Sequence, residues 1–282
     1  MRLKFIEEKV IHALMLLATL TVLGFFGSII WTIAKTGLPS LTWEMITSLP
    51  GGGFYLGREG GILNAIVGSL MVVGGSTVLG LLISIPIVFY MNVYLKKGSR
   101  LTYLTRLSFD VLFGIPSIVY GAFAFTLMIF FGLKTSLLGG IVVITMLTVP
   151  IFVRSMDEIA KSIPLELLES TYALGATRLE VCKVVLRQIA PGVATATLLS
   201  IGRAIGDAAG VLFTAGFTDN IPTGLNEPAA TLPLSVFFQL SSPIPEVRER
   251  AYAAALLLTI IILILSITGR MVTSRFSRNR IK

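Results

Sequence analysis

Residues 65–91 read AIVGSLMVVGGSTVLGLLISIPIVFYM, a stretch without one charged side chain. A helix needs about 20 predominantly apolar residues to cross a bilayer, so this one can span with some tilt and is too long for an ordinary buried helix. Reading outward finds five more such runs, at 11–34, 107–131, 136–153, 192–217 and 251–269. The expectation is an all-α, polytopic membrane protein with six transmembrane helices. The composition agrees: 54% of the 282 residues are hydrophobic and 13% charged, where soluble domains carry about 25% charged residues. Mean hydropathy is +0.87. No stretch remains for a large catalytic domain in water.

Arg2, Lys4 and Lys9 precede the first run, which is longer than a signal-peptide core and has no A-x-A cleavage site after it; a retained anchor is expected. With both termini in the cytoplasm, the inner segments carry 17 Lys and Arg; the outer ones carry five, Lys35, Arg58, Lys134, Arg248 and Arg250. The positive-inside rule therefore places both termini in the cytoplasm. The same placement accounts for the net charge of +8 beside the membrane and argues against nucleic acid as a partner. A single Cys182 and a single His12 exclude an internal disulfide and a histidine metal cluster, and both are expected as packing residues. No G-x-x-x-x-G-K-[ST], H-E-x-x-H or G-x-S-x-G sequence occurs, so ATP, metal and hydrolytic chemistry have no visible machinery in this chain. Transport, conduction and scaffolding remain.

Two outer connections, 36–62 and 218–250, are rich in turn residues; within the second, Thr231–Leu240 is apolar but too short to span and reads as an interfacial or re-entrant piece, or a plain linker. The cytoplasmic connection 154–190 is patterned differently. Pro164, Glu166 and Glu169 favour a helix start and Gly175 a stop, giving a helix of about Pro164–Leu174. Thr177 and Glu180 are spaced as a capping box for a second short helix. Such a pair either docks in a groove on a cytoplasmic partner or lies on the lipid surface.

Polar groups within the runs narrow the function. Arg203 sits in the fifth run, roughly 16 Å along a helix from Pro191, and Asp207 four residues on shares its helical face. They form a self-neutralising ion pair, or Arg203 contacts a passing oxyanion while Asp207 holds it between passages. Asp110, beside Arg106, reads as an interfacial, solvated carboxylate. Gly114 and Pro116 kink or unwind the third run, as a hinge or as a packing accommodation. Gly68, Gly74, Gly75 and Gly80 permit close helix contact in the second run.

The stretch Glu169-Ser170-Thr171-Tyr172-Ala173-Leu174-Gly175-Ala176-Thr177-Arg178 resembles the E-A-A-x-x-x-G loop of ATP-binding-cassette importer permeases. The match lies in Glu169, Gly175, Ala176, Thr177 and Arg178. Ser170 and Thr171 replace the two alanines, and Leu186-Arg187 stands for the closing Leu-Pro, with Pro191 as a later helix break. Residues 60–69 (GGILNAIVGS), 114–121 (GIPSIVYG) and 202–207 (GRAIGD) extend the likeness to phosphate-specific importer permeases of the PstA type. Here Asp207 replaces the usual glutamate, and Ala208-Ala209-Gly210 replaces Thr-Ala-Pro.

The resemblance implies a single permease domain over 1–282 with the type I ABC importer fold, in the inner membrane, translocating inorganic phosphate by alternating access. It implies a substrate path at Arg203 and Asp207, and ATPase coupling through Glu169 and Gly175–Arg178. Its implied partners are a second permease of the PstC type, an ATPase of the PstB type that uses the ATP and Mg, and an extracellular phosphate-binding protein of the PstS type. No cofactor or metal is expected on this chain. The alternatives are a permease for sulfate or molybdate, since a guanidinium does not itself distinguish tetrahedral anions, and an autonomous channel or secondary carrier, which would not need the cytoplasmic helix pair.

Overall fold

A computed structural model describes residues 2–51, 59–96 and 98–277. Gly52 and Gly53 of the glycine run, and Arg58, Lys97, Arg278, Arg280 and Lys282 of the charge count, lie outside the described residues. The long apolar runs become helices: α1 (Arg2–Gly37), α3 (Leu63–Phe89), α6 (Leu137–Lys161), α8 (Arg178–Ile205) and α10 (Pro245–Ser277). Shorter elements are α2 (Trp43–Thr47), α4 (Arg100–Gly114), α5 (Ser117–Phe130), α7 (Leu165–Ala173), α9 (Leu232–Leu240) and a two-stranded ribbon, β1 (Pro50–Gly51) with β2 (Glu59–Gly60). Helix α3 continues into a π-helical turn, Tyr90–Tyr94.

Helix α6 is the axis of the bundle. Two-thirds of its apolar window is buried within the chain, against a third for α3 and none for α1. Helices α3, α8, α4 and α5 surround it, while α1 lies against α10. His12 is consequently exposed on α1, not packed as expected, because that helix turns only one edge to the chain; Cys182 is buried.

The third run is not one helix. It divides into α4 and α5, which meet at 98° across Ile115 and Pro116. Proline lacks an N–H and biases the preceding residue to extended backbone, and Ile115 is extended (φ −74°, ψ 130°). The Tyr120 hydroxyl donates to the Leu112 carbonyl across the bend at 2.8 Å, supplying a partner where the helical ladder stops. The ends of the neighbouring helices fix what the bent pair does. Asn92, Arg106 and Lys161, from the end of α3, the start of α4 and the end of α6, converge on Asp157 at one end of the bundle. At the other end Asn64 donates to the Thr218 carbonyl, and Ser136 and Leu137 donate to the carbonyls of Thr214 and Glu227. Helices α3 and α6 thus run in the same direction. Since Met128 of α5 lies against Gly139 at the start of α6, α4 and α5 together make one broken crossing, the sixth beside the five long helices.

Two other expectations are corrected. Residues 178–190 are not a separate short helix: α8 runs unbroken from Arg178 through Pro191 to Ile205. One proline removes one hydrogen bond, and packing of Ile189, Val193 and Ala196 against Phe152, Val153 and Met156 outweighs that loss. The fifth run then stops being helical at Gly206, well before 217, and residues 207–217 form turns. The chain re-enters the bundle through α9, whose Leu232 N–H bonds the Ser69 hydroxyl at 2.8 Å. Gly68 admits this approach, since a Cβ there would overlap the Ala230 carbonyl oxygen; Gly75 and Gly80 similarly face Ile141 and Phe152, whereas Gly74 meets nothing.

The Asp157 cluster is the polar junction of the bundle. Its side chain is 5% exposed and accepts two bonds from Arg106 (2.9 and 3.0 Å), one from Asn92 (2.9 Å) and a 2.9 Å contact from Lys161. Arg106 is therefore not the companion of Asp110, which pairs with Arg154 instead. Asp157→Ala leaves two partly solvated cations facing an apolar void. It should lower the stability of the detergent-purified protein by about 3 kcal/mol, seen as an earlier thermal unfolding midpoint, with Asp157→Asn intermediate.

Candidate functional site

Two regions carry the chemistry expected of the chain: the turn between α7 and α8, and the gap between the α4–α5 bend and the end of α8. In the first, α7 ends in a Schellman arrangement. Gly175 has φ +82°, its N–H bonds the Tyr172 carbonyl at 2.9 Å, and the Ala176 N–H reaches the Thr171 carbonyl at 3.4 Å. Two residues later α8 opens on the expected capping box, with the Thr177 N–H bonding Glu180 Oε2 at 2.7 Å and the Glu180 N–H bonding Thr177 Oγ1. The direction of α8 relative to α7 is thus set within three residues.

That turn has an inner and an outer surface. Leu167, Leu168 and Ala176 pack against the cluster of Met156, Ala160, Ile163, Val181 and Val185. Leu174 and Leu179 face outward, 89% and 69% exposed, beside exposed Glu169 and Tyr172. Arg178 lies over the Tyr94 ring, 5.4 Å from its centroid, and so braces α8 against the π turn after α3. An almost fully exposed leucine at a rigid helix end is an apolar surface that this chain does not cover itself.

In the second region the expected Arg203–Asp207 pair does not exist. The i, i+4 spacing holds only within a continuous helix, and α8 ends between the two residues. Asp207 Oδ2 instead accepts the Gly210 N–H at 2.7 Å and organises the turns that follow. Arg203, in the last turn of α8, makes no hydrogen bond or ion pair among the described residues; its guanidinium lies 5.7 Å from the centroid of Phe113. Arg154 of α6, which the sequence reading counted only as a cytoplasmic charge, lies 5.4 Å from the same ring and 3.1 Å from Asp110. Phe113 immediately precedes Gly114 and Pro116, so the bend sets the position of the ring.

The bend also seats α5 on the turns after α8. A Cβ on Gly121 would come within 2.7 Å of the Gly210 carbonyl oxygen and 2.9 Å of that of Ala209. The Ser136 N–H bonds the Thr214 carbonyl at 2.8 Å, and the Ala229 N–H that of Ala215 at 2.9 Å, so the non-helical stretch is tied to α6 and to the segment leading into α9.

With this geometry, comparison with known proteins is informative. The model of the binding-protein-dependent transport system inner membrane component matches residues 80–278. The chain belongs to this family. Among its relatives, the phosphate transport system permease protein PstA of Pasteurella multocida (strain Pm70) is 32% identical over 264 residues, covering 91% of this chain and 92% of that one. That of Yersinia pestis is 32% identical over 267 residues, covering 93% and 89%. A solved structure of the MetNI methionine ABC transporter, inward facing, superposes with a TM-score of 0.62 at 19% identity over 76% of this chain and 95% of that one. The fold of this inner membrane component is accordingly that of the type I ABC importer permeases, in a multi-pass membrane protein.

The two glycines near the bend differ in a measurable way. Gly114 has nothing within 4 Å of a prospective Cβ, whereas Gly121 abuts backbone. Gly114→Ala should leave the unfolding midpoint of the purified protein within about 0.5 kcal/mol of the parent, and Gly121→Ala should lower it by about 1–3 kcal/mol.

Proposed function

We propose that this chain is a permease subunit of an ATP-driven importer for inorganic phosphate, with both termini in the cytoplasm and no bond chemistry of its own. The observation that carries the reading is Arg203, a guanidinium in the last turn of a membrane-crossing helix with no counter-ion from its own chain. Holding a cation near mid-bilayer is costly, so the group must face water, an anion or a partner subunit and not lipid. A guanidinium presents donors in a planar fork that matches two oxygens of a tetrahedral anion. The relatives named as phosphate transport permeases support phosphate as that anion. Asp207, tied to the Gly210 N–H, serves this path by holding the turn beneath Arg203.

Coupling falls to the turn between α7 and α8. ATP and Mg are used by a partner ATPase of the PstB type, which receives Leu174 and Leu179 in a groove with Glu169 at its edge; Gly175, Ala176, Thr177 and Arg178 hold the register between the docking surface and α8. Because α8 is unbroken from Arg178 to Ile205, a displacement at the docked end reaches Arg203 through one rigid rod. A second permease of the PstC type closes the open side of the path, and a phosphate-binding protein of the PstS type delivers the anion to the outer face. The Gly114–Pro116 bend is the place where the path widens and narrows as the two permeases rock.

The test is uptake by the complete importer reconstituted in vesicles. ATP-driven accumulation of radiolabelled phosphate, with sulfate and molybdate at least about tenfold poorer, is the expected result. Arg203→Gln should assemble and lose uptake. Leu174→Glu should insert normally yet copurify with less ATPase. Equal uptake of the three anions would make the chain a general oxyanion permease, and uptake without ATP would make it a carrier or channel.

A further inference from the structure

The position of Arg154 is not explained by packing. It contacts Asp110 at 3.1 Å through one terminal nitrogen, and both side chains are more than half exposed, 58% and 55%. Of its five donors, four make no hydrogen bond among the described residues. A guanidinium meant to lock two helices together has a model in the same structure: Arg106 meets Asp157 with two well-formed bonds, the carboxylate buried. Arg154 and Asp110 form the opposite kind of pair, loosely held and wet.

Register along the helices places Arg154 relative to Arg203. Helices α6 and α8 are antiparallel neighbours, and Gly192 lies directly against Ile159, so closely that a Cβ on Gly192 would overlap the isoleucine side chain. From that level Arg203 is eleven residues toward the end of α8, roughly 16 Å, while Arg154 is five residues back along α6, roughly 8 Å in the same direction. Arg203 therefore starts about one and a half helical turns farther from the Asp157 end than Arg154 does. Both side chains nevertheless converge on one ring, and their distances to Phe113 keep the two guanidinium carbons within about 11 Å of each other.

We infer that Arg154 is a second anion-contacting residue, placed on the cytoplasmic side of Arg203, and that Asp110 occupies it when the path is empty. The inference rests on the reading of the chain as a phosphate permease. An oxyanion held at Arg203 slides over the Phe113 edge, displaces the Asp110 carboxylate from Arg154, and leaves when Asp110 returns. The exchange is balanced: one carboxylate–guanidinium contact breaks as one anion–guanidinium contact forms, and the ring gives both cations a common resting surface in either state. Two weak, sequential sites let an anion enter without being trapped, which one tight site would not. A proximal competing carboxylate thus favours release into the cytoplasm.

The hand-off and a merely structural pair predict different signs. In the nucleotide-free importer complex, equilibrium dialysis with radiolabelled phosphate should show Arg154→Gln weakening binding at least tenfold, Arg154→Lys weakening it less, and Asp110→Asn tightening it several-fold. In vesicles, Asp110→Asn should combine the tighter binding with a lower maximal uptake rate, because release slows. Copurification of the partner subunits with each variant reports assembly. If Arg154→Gln and Asp110→Asn change binding in the same direction, or neither changes it while Arg203→Gln abolishes uptake, Arg154 is a helix-packing residue and the inference fails with the permease reading intact. If the parent complex neither binds nor transports phosphate, the permease reading itself fails and takes the hand-off with it.

Discussion

Inside a bilayer every backbone N–H and carbonyl needs a partner from the protein, and two helices of this chain stop where no water is at hand to supply one. The bend at Ile115–Pro116 and the end of α8 at Ile205 are brought together so that each completes the other. Tyr120 satisfies the carbonyl of Leu112, Asp207 satisfies the N–H of Gly210, Gly121 lets α5 rest on the carbonyls of Ala209 and Gly210, and Ser136 takes the carbonyl of Thr214. Continuous helices would meet the same requirement more simply. What the broken arrangement adds is an opening between α4, α6 and α8 into which Phe113, Arg154 and Arg203 project their side chains. The gap in the ladder and the site of the cations have one cause.

The rest of the fold keeps that gap in place. Three apolar clusters stack along the bundle: one at the Asp157 end around Phe152 and Met156, one at mid-height around Ile144 and Ile205, and one at the far end around Met45 and Leu232. Asp157 ties α4 to α6 below the gap, and α9 closes over it from the far end through Ser69 and Gly68. Helix α8 runs through all of this as one rod, with the capping box at one end and Arg203 at the other. Motion imposed on the exposed Leu174 turn therefore has a short mechanical route to the arginine.

Much of this was legible in the residues. The apolar runs gave the crossings, the Gly175 stop and the Thr177–Glu180 capping box gave the turn between α7 and α8, and Pro116 marked the bend. The Arg203–Asp207 pair was misread because spacing four residues apart implies proximity only while the helix lasts. Gly206 and Gly210, flanking Asp207, were the signal that it does not: an acidic residue three before a glycine in a run of small residues suits a turn capped by its own side chain. Arg154 was missed for another reason. Its partners, Asp110 and Phe113, come from a helix more than forty residues earlier in the chain, and the 98° bend that places Phe113 has no counterpart in helical periodicity. The merging of the second cytoplasmic helix with the fifth crossing reflects tertiary packing overriding one proline.

The account's central claim is that the end of α8 faces an aqueous anion path and not lipid. Gly206 lies one turn beyond Arg203, is exposed, and would place a Cβ in ordinary contact with Ile262. With Cys182 replaced by Ser, a cysteine introduced by Gly206→Cys in the assembled importer can be followed with a membrane-impermeant methanethiosulfonate reagent. Rapid modification that phosphate slows several-fold is the result this account predicts. Modification by a lipid-soluble maleimide alone, indifferent to phosphate, would contradict it.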